Sequence, residues 1–393
     1  MEKVKLGDIA TVITKGTTPT TIGFNFVERG INFVKIESIT ENGQFLQDKF
    51  AFIDEYCNKK MQRSQLQEND ILFSIAGAIG RTAIVTENIL PANTNQALAI
   101  IRIPDGKIFY PYLLYVLQSP VIFKQFEKKK QGVAQLNLSL KDVSELEIPL
   151  PSLEEQKAIA GKLDKVSGLI EKRKTQLEKL DLLIKSRFIE MFGDCLTNPK
   201  GWTIKNLEDI AEVGSSRRVF VEELKQDGIP FYRGTEVGAL AEGKNITPEL
   251  FITKEHYAEL CEATGTPCVG DLLMPSICPD GRIWVVNTDN PFYFKDGRVL
   301  WVHKIDASYN PIFLLYTLKD RIMADYNSIA SGTTFAELKI FALKKCRIFD
   351  APIELQNQFA TFVEQVDKSK FEIQKSLEKL EILKKSLMQK YFG

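Results

Sequence analysis

The feature that most limits what this chain can fold into is a pattern written nearly twice. Sliding the 393-residue sequence against itself by 200–201 residues sets Lys5-Leu6-Gly7-Asp8-Ile9-Ala10 opposite Asn206-Leu207-Glu208-Asp209-Ile210-Ala211. The same shift sets Asn69-Asp70-Ile71-Leu72 opposite Gly270-Asp271-Leu272-Leu273, and Gly80-Arg81 opposite Gly281-Arg282. Phe192-Gly193 falls on Phe392-Gly393. A stacked solenoid repeats every ~20–50 residues, so this period marks a duplicated domain.

Each copy has two parts. The first holds short β-branched and aromatic runs between turn signals, such as NFVKI, DILFSIAG and ALAIIRI, then GRIWVVN and RVLWVHKI; these predict strands. One helical stretch interrupts each copy, at 112–130 and from 312 to about 330. The second part opens at Pro151 or Pro352, since the residue before a proline is pushed toward extended geometry. Ser152 and Glu155 form a capping-box pattern.

Beyond that junction, apolar positions step by four and three. In copy one they are Ile159, Leu163, Val166, Ile170, Leu177, Leu180, Ile184 and Met191, interrupted by Arg173 and Arg187. In copy two they are Phe359, Val363, Val366, Ile373, Leu377, Leu380, Leu387 and Tyr391, interrupted by Lys370 and Lys384. That is a coiled-coil seam over more than four heptads. A helix of that length, at ~1.5 Å per residue, outruns what a 150-residue domain can cover. The interruptions are out of phase, as suits two different helices selected as a pair. Duplicated units most often pair about an approximate two-fold axis, which makes the helices antiparallel and brings the C-terminus back near the N-terminus. The expected domains are 1–151 and 196–350, with long helices at 152–195 and 351–393.

Charge nominates no partner. Basic and acidic residues number 51 each. Residues 1–151 carry 17 against 16, and residues 196–350 carry 18 against 21. Nucleic-acid binding would therefore rest on local patches. Six cysteines without CxxC spacing read as reduced thiols, and two histidines are too few for a metal cluster. The start, MEKVKLGDIATVI, is charged where a secretory leader needs an apolar stretch. No apolar run approaches the ~20 residues of a membrane span, so a cytoplasmic protein is expected.

In this order the motifs resemble those of the DNA specificity subunits of type I restriction-modification enzymes. The junction Pro149-Leu150-Pro151-Ser152-Leu153-Glu154-Glu155-Gln156 is the most specific of them. Lys5–Ala10, Asp70–Gly80, Asn95-Gln96-Ala97-Leu98 and the loop from Gly132 to Ser139 support it. Copy two departs, with Leu355-Gln356 in place of Glu-Gln and Pro-Asp-Gly before Arg282. The resemblance implies a mixed α/β chain: two strand-rich target recognition domains joined by two long helices in an antiparallel coiled coil, with a pseudo-two-fold repeat. It also implies a non-catalytic subunit reading a bipartite, asymmetric site in double-stranded DNA. The coiled coil would set the spacer and dock two methyltransferase subunits, with translocase-nuclease (restriction) subunits completing the complex. S-adenosylmethionine, ATP and Mg are then expected on those partners, and no cofactor or metal on this chain.

Residue types that reach phosphates and base edges nominate the contacts. In copy one these are Lys15, Thr17, Thr18, Lys35, Arg81, Asn93, Asn95, Gln96, Lys128, Lys129 and Gln135. In copy two they are Ser215, Ser216, Arg217, Arg218, Arg233, Ser276, Arg282, Thr333 and Thr334.

Catalytic motifs are missing. Asp289-Asn290-Pro291-Phe292-Tyr293 lacks the second proline of a methyltransferase motif, and no glycine-rich cofactor loop precedes it. Pro104-Asp105 with Glu127-Lys128-Lys129 puts half a nuclease motif in a predicted helix, and no Walker loop is present. Two other readings stand beside the leading one: a coiled-coil adaptor with protein-binding end domains, and the specificity module of a related restriction-methylation enzyme.

Overall fold

The computed structural model describes residues 2–127, 137–331 and 336–393. The chain divides into two compact units, Met1–Thr175 with Gln374–Gly393, and Gln176–Ile373.

Unit one holds strands β1 (Lys3–Lys5), β2 (Val12–Lys15), β3 (Ile31–Val34), β4 (Ala51–Ile53), β5 (Ile71–Ser74), β6 (Thr82–Ile84), β7 (Ala92–Thr94), β8 (Leu98–Arg102) and β9 (Glu147–Pro149). They form an antiparallel sheet β2-β8-β5-β6, a mixed sheet β4-β3-β7 and a ribbon β1-β9. Helices α1 (Leu6–Ile9), α2 (Glu55–Lys60), α3 (Tyr110–Leu117), α4 (Pro120–Glu127) and α5 (Leu140–Ser144) surround them. The long helix α6 (Leu153–Phe192) begins here.

Unit two repeats the plan with β10 (Ile204–Asn206), β11 (Glu212–Ser215), β12 (Ile229–Tyr232), β13 (Phe251–Ile252), β14 (Leu272–Pro275), β15 (Trp284–Val285), β16 (Tyr293–Phe294), β17 (Val299–His303), β18 (Ala330–Ser331), β19 (Glu337–Leu338) and β20 (Arg347–Phe349). Its sheets β11-β17-β14-β15, β13-β12-β16 and β10-β20 match those of unit one strand for strand. Only the small pair β18-β19 is extra among the described residues. Helices α7 (Gly234–Ala241), α8 (Lys254–Thr264), α9 (Pro311–Ile329) and α10 (Ile340–Lys344) precede the second long helix, α11 (Ile353–Phe392).

The central strands are apolar on both faces, because each four-stranded sheet is covered on both sides. In unit one Ile71, Phe73, Ala99 and Ile101 pack toward α3 and α6. Leu72, Leu98 and Ile100 face the second sheet's core with Val34 and Ala92. A strand buried on both faces loses the apolar-polar alternation of a half-exposed one.

The predicted helix at 112–130 is broken. Ser119 turns its hydroxyl onto the Val116 carbonyl at 2.5 Å, and Pro120 starts α4. Proline cannot donate to the preceding turn and bars helical geometry before it. Copy two has Arg321 at the matching place, and α9 runs through unbroken.

The seam positions face inward along both long helices. Ile159, Leu163, Val166, Ile170 and Ile184 are buried on α6, as are Phe359, Val363, Val366 and Leu377 on α11. The first half of α6 and the last turns of α11 share the core of unit one, and the second half of α6 and the first turns of α11 share the core of unit two. Within each unit the two helices therefore run antiparallel. Phe392 is buried with Leu6, which places the chain's last turn in the core of its first domain. All six cysteines are free, and among the described residues no helix is long and apolar enough to cross a membrane.

At each junction a buried glutamine fastens helix to domain. Gln156 Oε1 accepts the Phe109 N–H at 2.8 Å, and its Nε2 donates to the Pro151 carbonyl at 2.9 Å. Gln356 repeats this with the Asn310 N–H at 2.8 Å and the Ala351 carbonyl at 2.7 Å. Both side chains are fully enclosed. Glu155, by contrast, is exposed and only completes the cap with Ser152, so copy two replaces it with leucine and keeps its latch.

Candidate nucleic-acid interface

Four connections gather at one edge of each unit. In unit one, β2 ends at Lys15 opposite Ala99, β5 ends at Ser74 opposite Leu98, and β3 and β7 end together at Val34 and Thr94. Unit two does the same: Ser215 stands opposite Leu300, Pro275 opposite Val299, and Tyr232 opposite Phe294. Strand β8 runs from this edge toward Phe109 and the glutamine latch, so the loops lie at the far end of the sheet from the junction. Most of the nominated residues sit here.

Close packing holds the edge of unit one. A Cβ at Gly16 would stand 1.7 Å from the Thr94 carbonyl oxygen, so only glycine lets the Lys15–Thr18 loop lie against Asn93–Gln96. Thr18 donates to Gln96 Oε1 at 2.5 Å, and Asn95 Oδ1 accepts the Ala97 N–H. Lys35 lies over the Phe26 ring, 4.6 Å from its centre. The Arg81 guanidinium donates to the carbonyls of Ile36 and Ile39 and so ties two loops together. Asn93 does not reach the surface: it is fully buried, its amide donating to Asn58 Oδ1 and the Met61 carbonyl. It braces the edge from within. Lys128, Lys129 and Gln135 lie outside the described residues.

Unit two carries different groups on the same frame. The Ser215 and Ser216 hydroxyls donate to the carbonyls of Val299 and Phe294 at 2.7 and 2.6 Å, which makes them braces too. Arg217 is exposed, its backbone N–H donating to the Tyr293 hydroxyl at 3.2 Å. Arg218 pairs with Asp296 at 3.3 Å beside the exposed rings and methyls of Phe220 and Val221. Ser276 is buried, and among the described residues its hydroxyl has no hydrogen-bond partner. Arg282 pairs with Asp280 and Glu242. Arg233 is clasped by Glu236 and Glu249. Burial opposes ionisation of Glu236, yet hydrogen bonds from Arg233, Thr235 and the backbone outweigh it and hold the carboxyl at about 2. Thr333 and Thr334 lie outside the described residues.

Three cations at these edges escaped the sequence reading. Arg298 reaches Glu337, and Lys60 and Arg63 stand beside Thr17. Nothing local marks Lys60 and Arg63, because only the folded chain carries α2 and the turn after it to the β2 loop.

A family profile described as "Type I restriction modification DNA specificity domain" matches residues 1–180 and again 199–384. The chain belongs to this family. As a member with two such domains, it is 31% identical over 207 residues to the type I restriction enzyme EcoBI specificity subunit of Escherichia coli. That match covers 51% of this chain and only 42% of the relative. The MjaIX specificity subunit of Methanocaldococcus jannaschii is 27% identical over 362 residues, covering 86% of this chain and 80% of that one. Among solved structures, a chain from work on complex assembly and conformational transition of the type I R-M system covers 100% of this chain and 97% of its own length, at 19% identity and TM-score 0.60. The type I S subunit from M. genitalium covers 100% and 96%, at 16% identity and TM-score 0.53. Both share the fold.

Proposed function

We propose that this chain is the non-catalytic DNA specificity subunit of a type I restriction-modification system. Each unit's four-loop edge reads one half of a bipartite DNA site, and the paired helices set the unread spacer. The observation that carries this reading is the pair of equivalent loop edges built on one strand plan but bearing different side chains. Equivalent frames suit one duplex read twice; unlike residues suit a site without a palindrome. Base edges are read by side chains and phosphates fix register, and Arg217 and Gln96 are exposed at the two edges for such contacts.

The helices also dock methyltransferase subunits in this reading. Support comes from apolar side chains left outside the seam: Leu182, Leu183 and Phe371 in unit two, Ile382 and Leu383 in unit one. S-adenosylmethionine, ATP and Mg belong to those partners and to the restriction subunits, and the complex works in the cytoplasm. Co-expression with the cognate methyltransferase subunit, followed by sequencing for methyladenine, should give a bipartite asymmetric motif. Methylation by this chain alone, or no association with DNA and methyltransferase, would overturn the proposal.

A further inference from the structure

Thr17, Ile22, Lys60, Met61, Arg63 and Ser64 line a concavity of about 270 Å³ at the loop edge of unit one. Lys60 and Arg63 are exposed there, and among the described residues no carboxylate lies within ion-pair distance of either. The Lys60 ammonium instead sits 5.3 Å from the centre of the Tyr56 ring. The floor beneath them is rigid. Met61 and Ser64 are buried, Ser64 donates to the Met61 carbonyl at 3.2 Å, and Asn93 donates to the same carbonyl at 3.1 Å.

The contrast with unit two is chemical. There Arg218, Arg233, Arg282 and Arg298 are each already paired with a carboxylate. Paired arginines bring little net charge to a duplex. Arg217 and Lys295 of unit two are exposed and have no ion pair among the described residues, but in unit one two such cations line a single concavity. The apolar part of the lining, Ile22 at the rim and Met61 in the floor, offers a base neither a donor nor a flat stacking surface. A compact anion meets both cations and the Thr17 hydroxyl at once.

We infer that this concavity seats a backbone phosphate of the DNA half-site bound by unit one, with Lys60 and Arg63 neutralising it and Thr17 donating to its oxygen. The inference rests on the proposed DNA reading and adds to it the place where sequence-independent affinity enters. Neutralising one B-DNA phosphate contributes a slope of about −0.9 to log K against log salt.

The test uses the full chain co-purified with its methyltransferase subunit on a duplex carrying the methylated motif. K60Q/R63Q should weaken binding by the same factor on the motif and on duplexes altered in either half-site. Its salt slope should be shallower by about 0.9. K60R/R63K should keep the wild-type slope. Both positions are exposed, and co-purification with the methyltransferase subunit verifies folding. An unchanged slope in K60Q/R63Q overturns the inference, as does a methylated motif whose bases change. Absence of sequence-selective binding by the wild-type complex would instead overturn the underlying reading.

Discussion

Phe392 packs edge-on against Tyr112, ring centroids 5.6 Å apart and planes at 63°. Tyr112 is fully buried and donates to the Pro149 carbonyl at 3.0 Å, so the last turn of α11 locks onto the helix that precedes the first junction. In unit two Phe192 meets Phe313, the counterpart of Tyr112, at 4.7 Å. Removing the Phe392 ring leaves a cavity that should cost about 3–5 kcal/mol. Hydrogen exchange on Phe392→Ala should show protection falling in unit one while unit two keeps its own.

The junction glutamine outweighs its acidic neighbour. Gln156→Ala strands the Phe109 N–H and the Pro151 carbonyl without partners, an expected loss of about 2–4 kcal/mol. Glu155→Ala removes an exposed cap and should cost about 1 kcal/mol. Urea unfolding of the two variants checks the order.

Acid should loosen unit two through Glu236. Its carboxyl is depressed from 4.5 to about 2 in the fold, so the stability it contributes is complete above the unfolded value of 4.5. That contribution is lost as pH falls from there toward 2, because the unfolded chain takes up the proton first. Glu236→Gln should flatten the acid limb of unfolding free energy between pH 5 and pH 2.5, measured by urea titration.

Arg217 is exposed at the second edge, and among the described residues its guanidinium has no ion pair. If it reads a base, Arg217→Ala should relax one position of one half-site by about 1–3 kcal/mol of discrimination. Methylome sequencing should then find that position degenerate and the other half-site unaltered.

Spacer length should follow helix length. Deleting one heptad from matching stretches of α6 and α11 removes about 10 Å of rise from each, which corresponds to roughly 3 base pairs. The methylated motif should shorten in its spacer and keep both half-sites; altered half-sites would contradict the ruler.

Sequence patterns reached the frame more readily than the edge. The seam from Ile159 to Ile184 was legible because burial on one helix face imposes a spacing of three and four. The break before Pro120 was legible in chemistry, but apolar continuity from Tyr112 onward masked it. At the edge the logic reversed: Asn93, Ser215 and Ser216 have the chemistry of contacts, yet their partners are carbonyls and an amide brought up by other strands. Lys60 and Arg63 could not be found, since their neighbour Thr17 is more than forty positions away.

Among the described residues the latch glutamines hydrogen-bond only to main-chain atoms: one N–H and one carbonyl for Gln156, an N–H and two carbonyls for Gln356. Phe109 and Pro151 in one copy are Asn310 and Ala351 in the other, and both bonds of the first latch recur in the second. A mount that ignores side-chain identity lets the head it carries be rebuilt freely. New specificity can thus arise by exchanging loops or whole heads, without redesigning the shaft that bears them.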